Sequence, residues 1–230
     1  MKRLLIALVC FFAANTLLAQ NCVFYYPSSE TARWQYDLYN NKDNKCGSVT
    51  GKLLSKIVKG DTTILTIENT SYNLDNSPKG KFNYKYICKN NLFYLDVKSL
   101  IDPQTFEDYK DFDLNITGDS VSLPPNMAAG QNLDNFTIKV SFTNRGTNVF
   151  NCTLKSINRK VAAVESVTTP AGTYECAKIT YTLETNTYTR AQTAVTEWYA
   201  KEIGLVKSTV FDTKKKQVQI SRTELKKFKK

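Results

Sequence analysis

Large apolar and polar side chains alternate with a period of two over much of the chain after residue 20. Residues 34–39, Trp-Gln-Tyr-Asp-Leu-Tyr, show the pattern, and residues 82–88, Phe-Asn-Tyr-Lys-Tyr-Ile-Cys, repeat it. This alternation is typical of a β-strand that buries one face and leaves the other solvated. Segments rich in β-branched and aromatic residues also lie at 47–58, 62–68 and 92–97. The first part of the chain therefore predicts a run of antiparallel strands.

Proline, glycine and asparagine mark short turns between these segments. Thr169-Pro170-Ala171-Gly172 combines a proline suited to the second position of a turn with a glycine that accepts a positive φ. Lys59-Gly60-Asp61 and Lys89-Asn90-Asn91 are two further turn signals. From residue 135 onward, strand patterns resume at 136–144, 148–158, 160–168, 173–184, 188–199, 205–212 and 217–223.

This spacing predicts about a dozen strands and an all-β, mainly antiparallel fold. The expected architecture is a curled sheet, an incomplete barrel or a sandwich, with at most one or two short helices. One helix is predicted over residues 100–113, where Pro103 and Thr105 are placed as at a helix start.

The sequence divides into five regions. Residues 1–19 form a predicted signal peptide, 20–121 an N-terminal β half, 122–134 a linker with two prolines and a glycine, 135–225 a C-terminal β half, and 226–230 a basic tail. We expect the two halves to pack together as one unit, because roughly 210 residues fit one large β domain.

The signal-peptide prediction depends on Lys2 and Arg3, the apolar run 4–14 and the small residue Ala19. The apolar run is too short to cross a bilayer and no later segment is long and apolar enough, so we expect no transmembrane segment in the mature chain. The mature protein is expected to be exported to the periplasm, to the outer membrane or to the exterior. Without Lys2 and Arg3 its formal charge is +8 instead of +10.

The mature chain is expected to contain five cysteines, and an oxidising compartment permits disulfides among them. Their pairing stays open at this point, and their odd number leaves at least one thiol unpaired: Cys22, Cys46, Cys88, Cys152 and Cys176. A lipid anchor on Cys22 fits poorly, because Asn21 rather than a small residue precedes it. The sequence contains no histidine, which excludes the usual zinc ligand sets and the Ser-His and Cys-His catalytic pairs.

Three blocks of the sequence resemble the TapB-like family of exported proteins from Gram-negative bacteria, a domain of unknown function. The blocks are 25–27 (Tyr-Tyr-Pro) through 34–36 (Trp-Gln-Tyr), then 84–96, then 169–176 through the Glu-Trp-Tyr-Ala segment at 197–200 and the Gly-Leu-Val-Lys segment at 204–207. The resemblance implies a β-rich, curled or barrel-like exported domain. It implies no activity and no site residues.

Acidic residues between positions 96 and 113 are the candidate catalytic set, because two carboxylates facing one cleft can perform acid–base hydrolysis. They are Asp96, Asp102, Glu107, Asp108, Asp111 and Asp113. A solvated helix face explains the same residues more simply. Asp111 and Asp113 are also candidate calcium ligands, although the segment lacks the glycine and the distal glutamate of an EF-hand loop. We expect no cofactor, no metal and no enzymatic activity.

Large aromatic rings are numerous, with thirteen tyrosines, twelve phenylalanines and two tryptophans. Most are expected to fill the core. A curled sheet that does not close leaves a concave face, on which Trp34, Trp198 and Tyr199 are the candidate ligand-binding residues. The leading prediction is a non-enzymatic binding or scaffolding protein of the Gram-negative cell envelope. The alternatives are a carrier of a lipid or other hydrophobic ligand, and a carboxylate-based hydrolase.

Positive charge is concentrated in residues 205–230, which carry nine lysines and arginines against Asp212 and Glu224. Solubility is the simplest explanation of this charge. The partners that fit an exported basic protein are an envelope lipid, an acidic glycan or another envelope protein. Nucleic acid does not fit the expected location, so we predict no nucleic-acid binding.

Overall fold

The computed structural model describes residues 22–97, 112–214 and 218–230. These residues contain thirteen strands in one sheet and no α-helix, which confirms the all-β prediction. The strands are β1 (Arg33–Tyr39), β2 (Lys45–Lys59), β3 (Thr62–Tyr72), β4 (Pro78–Lys89), β5 (Leu92–Leu95), β6 (Asp113–Gly118), β7 (Val121–Leu123), β8 (Thr137–Asn144), β9 (Thr147–Thr169), β10 (Gly172–Asn186), β11 (Arg190–Ala200), β12 (Gly204–Asp212) and β13 (Gln219–Lys229).

The helix predicted over 100–113 lies mostly outside the described residues. Its last residue, Asp113, begins β6 and pairs with Thr143 of β8. The predicted helix therefore extends too far along the chain, because Asp113 already belongs to the β6–β8 ladder.

The sheet runs in the order β6-β8-β9-β10-β11-β12-β13-β1-β2-β3-β4-β5-β7. Its edge strands, β6 and β7, are neighbours in sequence and are joined only by Asp119 and Ser120. Three Cα–Cα steps of about 3.8 Å separate Gly118 from Val121, so the two edges lie at most about 11 Å apart at this link. The sheet therefore curls until its edges approach each other. It does not close into a barrel, because β6 and β7 form no ladder.

Asp119 holds this link against β8. Its backbone N–H donates to the Thr137 carbonyl oxygen at 2.9 Å, and its carboxylate accepts a hydrogen bond from the Thr137 N–H at 2.9 Å. Gly118 permits the close approach, since a Cβ at this position would lie 2.4 Å from the Thr137 carbonyl oxygen.

The hairpin turns predicted from proline, glycine and asparagine are confirmed. β9 ends at Thr169 and β10 begins at Gly172, which has a φ of 137° and pairs with Thr169. Asn90 and Asn91 join β4 to β5, and both have a positive φ (51° and 60°). Two successive residues with positive φ match the twist of a two-residue hairpin, and asparagine tolerates that conformation better than most residues.

One predicted break proves to be a bulge. The segments 148–158 and 160–168 are parts of the single 23-residue strand β9, and the register against β10 shifts between Thr180 and Thr182, opposite this point. Asn158 adopts a φ of 57°. A bulge re-aims the neighbouring side chain, and Arg159 is accordingly buried, with 3% exposure.

The segment before β1 fills the interior of the curled sheet. Phe24, Tyr25 and Tyr26 are all buried there, and a disulfide joins Cys22 to Cys88 of β4. The Phe24 carbonyl accepts a hydrogen bond from the backbone of the β11–β12 turn at 2.8 Å. Because these contacts are made with β4 and with the β11–β12 turn, the segment fills space that the curled strands enclose.

The two predicted halves share the single sheet, since β6 pairs with β8. Residues 124–136 contain no strand and follow β9 through backbone hydrogen bonds, including Gly130 N–H to the Val161 carbonyl at 2.8 Å. The residues expected to form a basic tail belong to β13 as far as Lys229, which pairs with Arg33 of β1. The ladder with β1 gives these lysines fixed positions on the sheet.

We predict that Cys22→Ser combined with Cys88→Ser destabilises the protein by up to about 4 kcal/mol, because the disulfide closes a loop with a sequence separation of 66 residues. Urea unfolding followed by tryptophan fluorescence measures the loss. Reductant should lower the stability of the unmodified protein to that of the double variant. Cys46→Ser, which removes an exposed free thiol, is the control and should change little. Equal stability of the double variant and the unmodified protein would contradict the prediction.

Candidate functional site

A groove of about 750 Å³ crosses β13, β1, β2, β3 and β4, and the Pro170–Ala171 turn of the β9–β10 hairpin lines it as well. We call it the basic groove. Six cationic side chains and one carboxylate line it: Arg33, Lys52, Lys81, Lys226, Lys227, Lys229 and Glu68.

The strand register brings these charges onto one face of the sheet. Arg33 lies opposite Lys229 on one side and Lys52 on the other, and Lys52 lies opposite Glu68. Residues directly opposite each other in a ladder project from the same face, and their Cβ atoms are about 5 Å apart. A continuous row of charge consequently crosses four neighbouring strands.

Glu68 neutralises part of this row. Its carboxylate contacts Lys52 Nζ at 3.0 Å and Lys81 Nζ at 3.4 Å. The hydrogen bond from Lys52, together with the positive charges of Lys52 and Lys81, holds the pKa of this carboxyl below its usual value. Glu68 therefore stays ionised at neutral pH and occupies two of the six cations.

The other groove cations lack a carboxylate partner among the described residues. Arg33 donates through Nη1 to the carbonyl oxygens of Glu30 at 3.1 Å and Ala32 at 2.8 Å, and carbonyls do not cancel its charge. Lys226, Lys227 and Lys229 form no ion pair with any carboxylate in the part of the chain that the structure describes. The groove thus carries a net positive charge that is open to an anion.

Trp34, the first of the three candidate ligand-binding residues, lines this groove but is only 3% exposed. Its indole packs edge-on against Tyr26 at a centroid distance of 5.1 Å. It also covers Gly51, where a Cβ would lie 2.0 Å from Nε1. Trp34 therefore belongs to the core, and Gly51 is the residue that leaves room for its ring.

The inner face of the sheet surrounds a second recess, of about 310 Å³, which we call the tyrosine chamber. Five phenol rings line it: Tyr26, Tyr36, Tyr86, Tyr181 and Tyr199. Its other polar side chains are Asn69, Glu197, Ser208 and Thr223, and apolar side chains such as Phe136 and Leu205 complete the wall.

Glu197 is the carboxylate of the tyrosine chamber. Burial raises the pKa of its carboxyl, while the positive charge of Arg159 and the hydrogen bond from Tyr181 oppose the rise. The Tyr181 hydroxyl donates to Glu197 Oε1 at 3.2 Å. Arg159 donates through Nη1 to the carbonyl oxygens of Ser122 at 3.1 Å and Asp134 at 3.2 Å. Glu197 of the chamber therefore interacts with the positive charge of Arg159, which does not itself line the recess.

Trp198 and Tyr199 lie on opposite faces of β11, because consecutive residues of a strand point in opposite directions. Tyr199 lines the tyrosine chamber and is 6% exposed. Trp198 lies on the outer face, donates through Nε1 to Glu165 at 2.7 Å, and has the ammonium groups of Lys178 and Lys207 at 5.4 and 5.7 Å from its ring. The three aromatic candidates therefore do not form one site.

The candidate carboxylates are only partly within the described residues. Asp102, Glu107, Asp108 and Asp111 lie outside them. Asp96 follows β5 and accepts a hydrogen bond from the Lys85 N–H at 3.0 Å, and Asp113 begins β6. The described ranges contain no group of three or more metal-ligating side chains. The calcium and hydrolase hypotheses therefore stay predictions.

The structure resolves the cysteine pairing that the sequence left open. Cys22 forms a disulfide with Cys88, so its sulfur is not available for a lipid anchor. Cys46 is an exposed free thiol, whereas Cys152 and Cys176 are buried free thiols. Burial raises the pKa of the Cys176 thiol to about 12, so this thiol is protonated and unreactive at neutral pH.

Sequence reasoning missed both recesses. The groove lysines come from three distant segments, and those at the end of the chain resembled a solvated tail. Phe228 was the available signal, since a large apolar residue among lysines indicates that a half-buried strand continues. Arg159 and Glu197 gave no comparable signal, because their inward orientation depends on the β9 bulge and on the curl of the sheet.

These features define an all-β protein built on one open, curled antiparallel sheet. The chain belongs to the DUF3108-like family, whose family model matches residues 29–225. No curated protein matches the chain. The narrower TapB-like resemblance stays a prediction.

Two solved structures share the fold. One is a protein from Bacteroides fragilis described as exported and as having a YmcC-like fold, with a TM-score of 0.75 and 20% identity over 91% of this chain and 100% of that chain. The other is a protein from Parabacteroides distasonis described as a lipoprotein, with a TM-score of 0.76 and 23% identity over 91% of this chain and 100% of that chain. At these identities the likeness establishes the fold.

The described residues also include no helix with the length and apolar character needed to cross a membrane.

We predict that Glu197→Gln stabilises the protein more at high pH than at low pH. Because burial raises the folded-state pKa of Glu197 above its ordinary value of 4.5, the stability linked to its proton is present below that value and is lost as the pH rises through the folded-state pKa. Glutamine cannot ionise and avoids the loss. We expect the Tm of the variant to exceed that of the unmodified protein by a margin that grows to a few degrees as the pH rises. Thermal unfolding between about pH 4 and about pH 8 measures this margin.

The control for this measurement is Glu175→Gln on the neighbouring strand β10, where the side chain is exposed. Its Tm difference from the unmodified protein should stay constant across the same pH range. A Glu197→Gln advantage that is independent of pH would show that the carboxyl is not held in a desolvated site.

Proposed function

We propose that this protein is an exported, non-enzymatic binding protein of the bacterial cell envelope, and that its basic groove binds an extended anionic glycan. The observation that carries the proposal is the charge of the groove, which has six cations against one carboxylate. The signal-peptide pattern of residues 1–19 supports export. The fold neighbours described as exported and as a lipoprotein are consistent with the same location.

The groove dimensions favour an extended ligand. Neighbouring strands are about 4.8 Å apart, so the five strands of the groove span about 19 Å. Cations are distributed along this length from Lys81 on β4 to Lys227 on β13. A polymer with a negative charge on each repeating unit matches such a row, since each charge can approach a separate cation.

The groove chemistry favours binding over catalysis. Its one carboxylate, Glu68, is held by Lys52 and Lys81, and its lowered pKa makes it a poor general base. The remaining polar side chains are cations, hydroxyls and an amide, including Thr50, Thr70 and Gln35. These groups provide charge and hydrogen bonds without an activated nucleophile.

We predict that replacing Lys226, Lys227 and Lys229 together by glutamine weakens binding of a polyuronate oligosaccharide at least tenfold. Each lysine near an anionic surface contributes roughly 1 kcal/mol, and each 1.4 kcal/mol changes affinity about tenfold. Isothermal titration calorimetry at low and physiological salt measures the effect, which should shrink as salt screens the charges. Parallel titrations with polyphosphate and with phosphatidylglycerol vesicles distinguish recognition of carboxylates from recognition of phosphates and of lipid surfaces.

The matched control replaces Lys139, Lys155 and Lys160 by glutamine. These three exposed lysines lie on β8 and β9, outside the groove, and their removal changes the net charge by the same amount. Less than about a twofold change is expected for this control, given that distant exposed charges are screened. Equal losses in both triple variants would mean that binding follows total charge, and the groove would not be the site.

Glu68→Gln should have the opposite effect and tighten polyuronate binding a few-fold. The substitution releases Lys52 and Lys81, which Glu68 contacts at 3.0 and 3.4 Å, and both ammonium groups then become available to the ligand. The same titration measures the gain. Glu175→Gln changes the net charge equally at an exposed site outside the groove, and it should leave the affinity unchanged. A weaker complex for Glu68→Gln would contradict the proposed role of Glu68 as an internal competitor.

A further inference from the structure

The tyrosine chamber is a second recess, separate from the basic groove, and its polar groups are arranged in a row. Glu197, Ser208 and Thr223 lie opposite one another on β11, β12 and β13. All three are half-buried and line the chamber. The hydroxyls of Ser208 and Thr223 make no side-chain hydrogen bond to any other residue that the structure describes. These two hydroxyls are therefore donors and acceptors that the described residues leave unused.

The phenol hydroxyls converge on the same space. Burial raises the pKa of the Tyr26 phenol, and the side chains of Asn69 and Tyr86 lie close enough to oppose this rise by hydrogen bonding. The Tyr199 hydroxyl lies close enough to Tyr86, Tyr36 and Glu197 for electrostatic interaction with each. The centre of the curled sheet is consequently rich in hydroxyl groups, which both donate and accept hydrogen bonds.

An acyl chain is a poor occupant of this centre. It would leave the Ser208 and Thr223 hydroxyls without hydrogen-bond partners, and burying polar groups without partners costs free energy. A bare cation is also a poor occupant, because Glu197 is the one carboxylate of the lining and the positive charge of Arg159 already acts on it. The chamber chemistry fits a neutral molecule with several hydroxyl groups.

We propose that the tyrosine chamber binds one small, neutral, polyhydroxylated molecule of the size of a single sugar ring. The chamber volume of about 310 Å³ corresponds to roughly ten waters at ~30 Å³ each. Glu197 accepts hydrogen bonds from ligand hydroxyls, while Tyr199, Ser208 and Thr223 donate or accept. The apolar wall, including Phe136 and Leu205, packs against the C–H faces of the ligand.

The test uses the full mature protein and ligand-observed saturation-transfer NMR with glucose, N-acetylglucosamine and myo-inositol as probes. Saturable binding of at least one probe is expected at concentrations up to about 10 mM, the range of a weak small-molecule site. Tyr199→Phe, which removes one hydroxyl and keeps the ring, should weaken that binding about tenfold. Glu197→Gln, which keeps the shape of the side chain, should weaken it by a similar factor.

The matched control is Tyr188→Phe, which removes the same atom from a tyrosine that is 87% exposed and does not line the chamber. It should leave binding unchanged. Circular dichroism and Tm confirm that each variant is folded. Saturable binding of none of the three probes, an equal loss in Tyr188→Phe, or stoichiometric binding of palmitate in native mass spectrometry would each overturn the proposal. Polyuronate binding by the basic groove is measured separately, so either proposal can fail alone.

Discussion

The two-residue link between β6 and β7 is the constraint on which the rest of the structure depends. These strands occupy opposite edges of a thirteen-stranded sheet, yet only Asp119 and Ser120 connect them. A flat sheet of this width would separate its edges by about 58 Å at ~4.8 Å per strand. The link therefore requires the sheet to curl through most of a turn. An inner face, an enclosed interior and an open seam all follow from that requirement.

A curled sheet that stays open has to fill its interior with something other than a second sheet. Here the fill comes from the segment before β1, with Phe24, Tyr25 and Tyr26 buried, and from tyrosines on the strands. Tyrosine places a large apolar ring against the wall and carries its hydroxyl to the centre. The interior is thus tightly lined but polar at its middle, which explains why a core rich in aromatic residues coexists with a chamber that contains Glu197.

The sequence predicted the strands and turns because both depend on local physics. Alternation identified the half-buried strands, and Pro170 with Gly172 identified the longest hairpin. Trp198 and Tyr199 are adjacent in one strand and therefore face opposite sides, a consequence that the expectation of both residues on one concave face did not include. The sequence did not predict the two recesses. Lys52, Lys81 and Lys229 become neighbours only through strand order, and Arg159 turns inward only because of the bulge at Asn158. Strand order and bulges are set by non-local pairing, which a period in the sequence does not encode.

The basic groove is complete only after β13 has paired with β1. Arg33 and Lys229 lie opposite each other, although nearly two hundred residues separate them in the chain. Ribosomal synthesis produces Arg33 long before Lys229. The groove therefore has no second wall until β13 pairs with β1, and its row of charge is assembled only after the last strand has been made.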